Sequence, residues 1–184
     1  MKRSIAFLFV LTGCIFSAEI PAGADTHTVG ILGGYGFYAS PFASRGPTVG
    51  LLYEYLFLKD LGIRLTAEAE WHTPIDKTNP QKGMKPFLLS TAGLIYIIDI
   101  GRAEPFITAG GSFHYGEMGD GNWFSGGFEI GLGLSYVIKK SSKIFLELDY
   151  FLPLAAMNEM PQFLLLQAGF SFDFGPPSGN ISKI

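Results

Sequence analysis

The stretch from residue 124 to residue 138 reads FSGGFEIGLGLSYVI, and its side chains alternate between two characters. Apart from Gly126, its even positions are apolar or aromatic, whereas its odd positions are mostly small or polar and include Glu129. Alternation at period two predicts a β-strand with one apolar face. A helix here would contain four glycines, each costing about 1 kcal/mol, and would place Glu129 among apolar side chains.

Seven further stretches read in the same way, although the fourth alternates poorly. The eight predicted strands are residues 28–38, 48–58, 63–72, 87–98, 105–115, 123–138, 143–152 and 163–174. Each approximates the length of a tilted strand that crosses a bilayer. Short polar connections (59–62, 99–104, 139–142) alternate with mostly longer ones (39–47, 73–86, 116–122, 153–162). This alternation is typical of up-and-down membrane barrels, whose turns are short at one end.

Composition also favours a barrel in a membrane. The chain has 184 residues, enough for one domain, of which 48% are apolar and only 16% charged, with a mean hydropathy of +0.29. After residue 24, no apolar run approaches the roughly 20 residues that a spanning helix needs. In lipid, only helices and closed barrels satisfy every backbone group. The fold expected is all-β, an eight-stranded antiparallel up-and-down transmembrane β-barrel.

The first 24 residues have the features of a signal peptide. Lys2 and Arg3 precede an apolar run over residues 5–16, and Ala22-Gly23-Ala24 supplies the small residues of a cleavage site. We therefore expect a signal peptide at 1–24, a barrel at 25–174 and a periplasmic tail at 175–184. An alternative reading takes residues 11–14 as a lipobox, in which Cys14 would be lipidated.

Two stretches carry a resemblance to a known family. Residues 104–113, EPFITAGGSF, resemble a Pro-aromatic-x-x-x-Gly-x-x-aromatic strand, and residues 163–174, FLLLQAGFSFDF, resemble a last strand ending in Phe. Both are similar to those of small eight-stranded outer-membrane barrels of the OmpA, OmpX and opacity-protein type. The likeness implies export by the Sec pathway to the outer membrane of a Gram-negative bacterium.

The resemblance also implies partners. These are outer-membrane lipid and lipopolysaccharide around the barrel, and the barrel-assembly machinery, which reads the last strand during insertion. Phe170, Phe172 and Phe174 fit this assembly signal, although ten residues follow Phe174. A nucleic-acid partner is not expected, because the formal charge is -3.

Strand parity assigns the charged side chains to the lumen, since a charge facing lipid would cost kilocalories. The resulting polar cluster is Glu54, Arg64, Glu68, Glu70, Glu129, Glu147, Asp149 and Asp173. His72 and His114 are candidates to join it. Seven carboxylates against one Arg permit three readings: a hydrogen-bonded polar core, a cation site or narrow cation path, and a catalytic carboxylate pair.

The sequence predicts location better than activity. Lipid A deacylases of similar size use a His-x-Ser pairing, but Val29, Pro74 and Gly116 follow the three histidines at that spacing. We therefore expect no enzyme, no cofactor and no metal site, and a structural or unspecified membrane role with limited permeation. The alternatives are an OmpW-like barrel that binds or passes small molecules, a lipid-modifying enzyme, and a soluble lipocalin-like barrel whose apolar side faces inward.

Overall fold

The computed structural model describes residues 26–39, 44–74, 85–118, 121–139, 141–154 and 162–174. All regular structure in these ranges is β. The strands are β1 (Thr26–Tyr38), β2 (Ser44–Leu56), β3 (Leu61–Pro74), β4 (Lys85–Ile97), β5 (Ala103–Met118), β6 (Gly121–Lys139), β7 (Ser142–Pro153) and β8 (Phe163–Phe174). No helix in these ranges is long and apolar enough to cross a membrane. The predicted signal peptide, Cys14 and the tail at 175–184 lie outside the described residues.

The eight strands form one closed antiparallel barrel, as predicted. Each strand pairs with the next along the chain, and β8 pairs with β1 from Phe163 opposite Tyr38 to Phe174 opposite His27. One irregularity interrupts the ladders, between Val137 and Lys139 on β6. Closure leaves no sheet edge, so each strand finds backbone partners on both sides.

The hairpin β5–β6 is longer than the sequence predicts. Pairing continues to Met118 opposite Gly121, so the expected loop at 116–122 is largely strand. Apolar alternation marks only the part of a strand that has one apolar face. Backbone pairing extends beyond that part, into residues that show no such alternation.

Exposure alternates along the strands. Apolar side chains point outward, for example Ile31, which is 61% exposed, and Leu51, which is 65% exposed, whereas Glu70 is only 1% exposed. The outward set also includes Phe128 and Leu132 on β6. The exterior of this barrel is therefore its apolar surface. This arrangement excludes a lipocalin-like barrel, which has an apolar inside and a polar outside.

The poor alternation of β4 has a structural reason. Its inward residues Phe87, Leu89 and Ile95 are buried and apolar, while Leu88 and Leu94 face outward. Both faces of this strand therefore contact apolar surroundings, so its sequence carries little contrast between them.

Two apolar clusters fill opposite ends of the interior. We call the end with the connections 57–60, 98–102 and 140–141 the turn end, and the opposite end the loop end. The turn-end cluster comprises Leu32, Leu52, Leu56, Ile95, Ile97, Phe106 and Phe145. The loop-end cluster comprises Tyr38, Leu89, Phe151, Phe163 and Leu165. The inward residues of β7 run Phe145, Glu147, Asp149, Phe151, which places a polar layer between the clusters.

Candidate functional site

The structure places the charged residues singled out by parity on the inner wall. Six of the seven carboxyl groups and the Arg are buried, and Asp173, near the turn end, is half-buried; the buried set is Glu54, Arg64, Glu68, Glu70, Glu129, Glu147 and Asp149. Strands β2, β3, β6 and β7 supply the buried members. They do not form one cluster, because the interior divides them among several local networks.

Arg64 is the centre of the largest network. Its guanidinium pairs with Glu147 across the lumen and with Glu54 on the neighbouring strand at 3.4 Å. The same group lies over the rings of Phe106 and Phe145, 5.1 and 5.6 Å from their centroids. Arg64 therefore passes through the turn-end cluster, where cation–π contacts compensate part of its lost hydration.

Glu68 is held by neutral donors. Its Oε2 accepts hydrogen bonds from the Thr48 hydroxyl at 3.0 Å and from the Gln167 amide at 2.5 Å. These two donors come from β2 and β8. The carboxyl group thus links strands on either side of β1 through the lumen.

A second group lies next to the loop-end cluster. Tyr38 donates a hydrogen bond to Glu70, and His72 lies 3.3 Å from the same carboxylate oxygen. The Tyr38 ring stacks on Phe163, with centroids 4.3 Å apart. The other oxygen of Glu70 has no hydrogen-bond partner. Aromatic rings and an imidazole thus cover this carboxylate on the loop side.

The middle of the polar layer belongs to β7. Glu147 accepts a hydrogen bond from Thr108 at 3.4 Å, in addition to its pair with Arg64. Asp149 lies two residues further on the same inward face, with Glu129 and Glu147 near it. Its Oδ1 is buried and has no hydrogen-bond partner.

A network at the turn end was missed by the sequence reasoning. Lys143 lies 3.0 Å from Glu104 and 3.3 Å from Asp173, and Asp173 also accepts a hydrogen bond from Thr28 at 2.8 Å. Lys143 has the same parity as Glu147 on β7, which was the available signal. This network joins β5 and β7 to β8 and β1, the two strands that meet where the barrel closes.

The sequence reasoning also missed a Ser–His pair, because the motif considered has the order His-x-Ser, whereas this pair has the order Ser-x-His. Ser112 and His114 are neighbours on the inward face of β5, with their Oγ and Nε2 atoms 3.1 Å apart. They are 1% and 4% exposed, and rings of Phe151 and Phe163 pack against His114. Among the described residues, a nucleophile at Ser112 faces a packed aromatic cluster inside the barrel and not the lipid-facing surface.

No metal cluster is evident in the described part of the chain. No group of three or more His, Cys, Asp or Glu side chains there has the spacing of metal ligands. The exterior carries an apolar depression of about 890 Å³ across β8, β1, β2, β3 and β4, where residues such as Gly33, Ala67 and Ala168 leave space. A further depression of about 490 Å³ on β8, β1, β2 and β3 shares Ile31, Leu51, Ala67 and Phe170 with it.

Comparison with known proteins finds relatives in structure only. No protein-family model matches the chain, and no curated protein matches its sequence. Among solved structures, it is similar to the N-terminal β-barrel domain of OprF from Pseudomonas aeruginosa, with 18% identity, a TM-score of 0.56, and coverage of 83% of this chain and 99% of that one.

Two more solved structures are similar to a comparable degree. Neisserial surface protein A has 17% identity and a TM-score of 0.60, covering 81% of this chain and 97% of that one. The outer membrane protein OprG from Pseudomonas aeruginosa has 14% identity and a TM-score of 0.53, covering 84% and 99%. At these identities the likeness establishes the fold, which is that of the small eight-stranded barrels.

Proposed function

We propose that this chain is an integral outer-membrane protein of a Gram-negative bacterium with a structural, non-enzymatic role. The observation that carries the proposal is the belt of outward apolar side chains on a closed barrel, with Ile31, Leu51 and Leu132 each more than half exposed. A soluble monomer does not present an apolar surface that continues around the whole molecule. A membrane-spanning barrel requires one, with polar groups turned inward.

One expectation from the sequence, one physical principle and one comparison support the outer membrane as the location. The expected signal peptide at 1–24 would direct export. Closed barrels are the β-structures that cross bilayers. The solved structures of similar fold include one that is described as an outer membrane protein.

The packed interior supports a structural role over free permeation. The turn-end and loop-end clusters close the lumen on both sides of the polar layer, and Arg64 reaches across that layer to Glu147. An eight-stranded barrel is just wide enough for its inward side chains to fill it. We therefore propose an acidic lumen that is occupied by its own side chains.

Cell fractionation combined with heat-dependent gel migration tests the location. The full chain should appear in the outer-membrane fraction, and its band should shift when the sample is boiled, because detergent alone leaves the barrel folded. A band in the soluble periplasmic fraction that does not shift on heating would contradict the proposal.

Planar-bilayer recording tests the filled lumen separately. The purified barrel should give no steady conductance. A steady conductance would refute the packed lumen and favour a channel, without changing the conclusion on location.

A second candidate is the binding of a small apolar molecule, which the exterior depression favours. Its lining is almost entirely apolar, and it spans five adjacent strands. The ladders around it are continuous, so the site would be on the lipid-facing surface, not behind a lateral opening into the lumen. Ala67→Leu and Ala168→Leu, which fill the depression, should abolish such binding to the purified barrel.

A further inference from the structure

Three side-chain oxygens converge on the inner face of Gly131. A Cβ atom at this glycine would run into Asp149 Oδ1 and Thr108 Oγ1 and would lie 3.1 Å from Glu147 Oε1. The absence of a side chain at Gly131 therefore makes room for oxygens from two other strands, β5 and β7. The Thr108 hydroxyl donates a hydrogen bond to Glu147 Oε1, but the two carboxylates repel each other unless something positive lies between them.

Asp149 interacts with Glu147 through its side chain, but, like Glu70 near the loop end, it keeps one carboxylate oxygen without a hydrogen-bond partner. The residue is only 2% exposed, and its Oδ1, the atom that faces Gly131, has no hydrogen-bond partner. A buried carboxylate oxygen in this state is unusual, since buried polar atoms are nearly always satisfied. It indicates a missing partner of positive character.

The Arg64 and Lys143 side chains of the described interior form their ion pairs with carboxylates other than Asp149. Arg64 forms ion pairs with Glu147 and Glu54, and Lys143 forms ion pairs with Glu104 and Asp173 at the turn end. Glu129 also lies near Asp149, so the polar layer contains more carboxyl groups than Arg64 can neutralise.

We propose that Asp149, Glu147 and Thr108 bind one divalent cation of the oxygen-preferring class, such as Ca²⁺. Two carboxylates and a hydroxyl are oxygen donors of the kind that Ca²⁺ accepts, and Ca²⁺ tolerates an irregular ligand arrangement that water can complete. This inference goes beyond the proposed function, because it does not depend on where the barrel resides. The two apolar clusters separate the site from both ends, so the ion enters as the barrel folds.

Metal content after refolding tests the proposal. Purified protein is unfolded in urea and refolded in detergent with Ca²⁺ or with a chelator, then freed of loose ions and analysed by mass spectrometry. The chain refolded in Ca²⁺ should hold about one Ca²⁺ per molecule, and protein refolded in chelator should take it up only slowly when Ca²⁺ is added afterwards.

Matched variants identify the site. Asp149→Asn should lose the ion, whereas Asp173→Asn, which removes a carboxylate at the turn end, should retain it. Gly131→Ala should lose it too, while Gly126→Ala on the same strand, where a Cβ makes only an ordinary contact with the Ser112 carbonyl oxygen at 3.8 Å, should not. Heat-dependent gel migration shows which variants have folded, and Thr108→Val is used if Asp149→Asn does not fold.

Two results would overturn the proposal. One is a folded wild-type barrel that holds no Ca²⁺ after refolding in its presence, which would mean that a proton alone satisfies Asp149. The other is retention of Ca²⁺ by folded Asp149→Asn, which would place the ion elsewhere. Neither result bears on the outer-membrane location, which fractionation tests independently.

Discussion

At the residue scale, Arg64 has the most demanding position in the barrel. It is 4% exposed, lies between two aromatic rings and connects Glu54 near the turn end with Glu147 in the polar layer. Charges buried in this way are stable only when each finds a partner. Removing the Arg leaves the buried carboxylates of Glu54 and Glu147 without their positive partner.

We predict that Arg64→Met lowers the free energy of unfolding by about 3–5 kcal/mol, because it breaks a buried ion network by removing one partner. The free energy of unfolding of Arg64→Lys should lie between those of wild type and Arg64→Met, since an ammonium keeps the charge but not the planar stacking on Phe106 and Phe145. Urea unfolding of the barrel in lipid vesicles measures both changes.

Lys59→Met is the matched control for Arg64→Met. Lys59 pairs with Asp99 at 3.1 Å on the exposed rim, and exposed ion pairs contribute little. Its unfolding midpoint should remain close to that of wild type. An Arg64→Met barrel as stable as this control would show that the network does not stabilise the fold.

At the scale of strands, close approach of β4 to β5 depends on two facing glycines. Gly93 and Gly110 are directly paired, and a Cβ at Gly110 would lie 2.5 Å from the Cα of Gly93. No side chain fits there unless the strands separate. The next residue, Gly111, has only the carbonyl oxygen of Gly127 within reach, at 3.9 Å.

Gly110→Ala should therefore destabilise the barrel by about 1–3 kcal/mol, the usual range for overpacking, whereas Gly111→Ala should not. Because the two positions are adjacent, differences in local propensity largely cancel. The comparison uses unfolding midpoints under identical lipid conditions, and equal effects of the two changes would contradict this view of the β4–β5 contact.

The turn between β4 and β5 has a pH-sensitive contact of its own. Gly101 adopts a φ of 95°, a conformation that glycine allows, and its N–H donates to Asp99 Oδ1 at 3.2 Å. This hydrogen bond and the nearby Lys59 lower the pKa of Asp99. A carboxylate with a lowered pKa stabilises the fold above its unfolded pKa of about 3.9, and this contribution is lost as the pH falls through the folded pKa.

We expect Asp99→Asn to unfold slightly more easily than wild type at pH 7, with the gap closing as the pH falls below about 4. The effect is small because the pair is exposed, and it should shrink further in high salt. Unfolding midpoints of the two proteins at several pH values measure it. If the difference in stability between the two proteins increased in acid, the turn contact would not lower the pKa of Asp99.

At the scale of the whole molecule, closure depends on the last strand meeting the first. β8 pairs with β1 over its full length, and Lys143 and Thr28 both contact Asp173 near the end of that seam. Phe174, the last residue of β8, points outward and is 56% exposed. The family resemblance assigns this Phe to the signal that the assembly machinery reads, with Phe170 and Phe172.

We predict that Phe174→Ala lowers the amount of folded barrel in the outer membrane, whereas deletion of residues 175–184 leaves that amount unchanged. Phe128→Ala is the matched control, because Phe128 is also outward and 56% exposed but lies within β6, away from the end of the last strand. The quantity of heat-shifted band in the outer-membrane fraction is the readout. Equal losses for Phe174→Ala and Phe128→Ala would show that lipid contact, not a terminal signal, is responsible.

The sequence by itself determined the strand count, the antiparallel up-and-down order and the inward face of the charges that parity assigned, but it did not assign Glu104 or Lys143. Alternation at period two is a local property, so it can be read without knowing what a strand packs against. Alternation was weak at β4, where both faces are apolar, although the strand was predicted there. It did not predict the full length of the β5–β6 hairpin, where pairing continues beyond the apolar pattern. The search for a fixed His-x-Ser motif also passed over Ser112 and His114.

Only the tertiary structure decided which inward groups meet. Glu147 is 83 residues from Arg64 in the chain, and Gln167 is 99 residues from Glu68. Such contacts depend on the register of all the strands and on closure of the barrel, which set the height of each side chain along the axis. Parity specifies inside or outside, but it contains no information on height, so the division into two apolar clusters with a polar layer between them became visible only in the closed barrel.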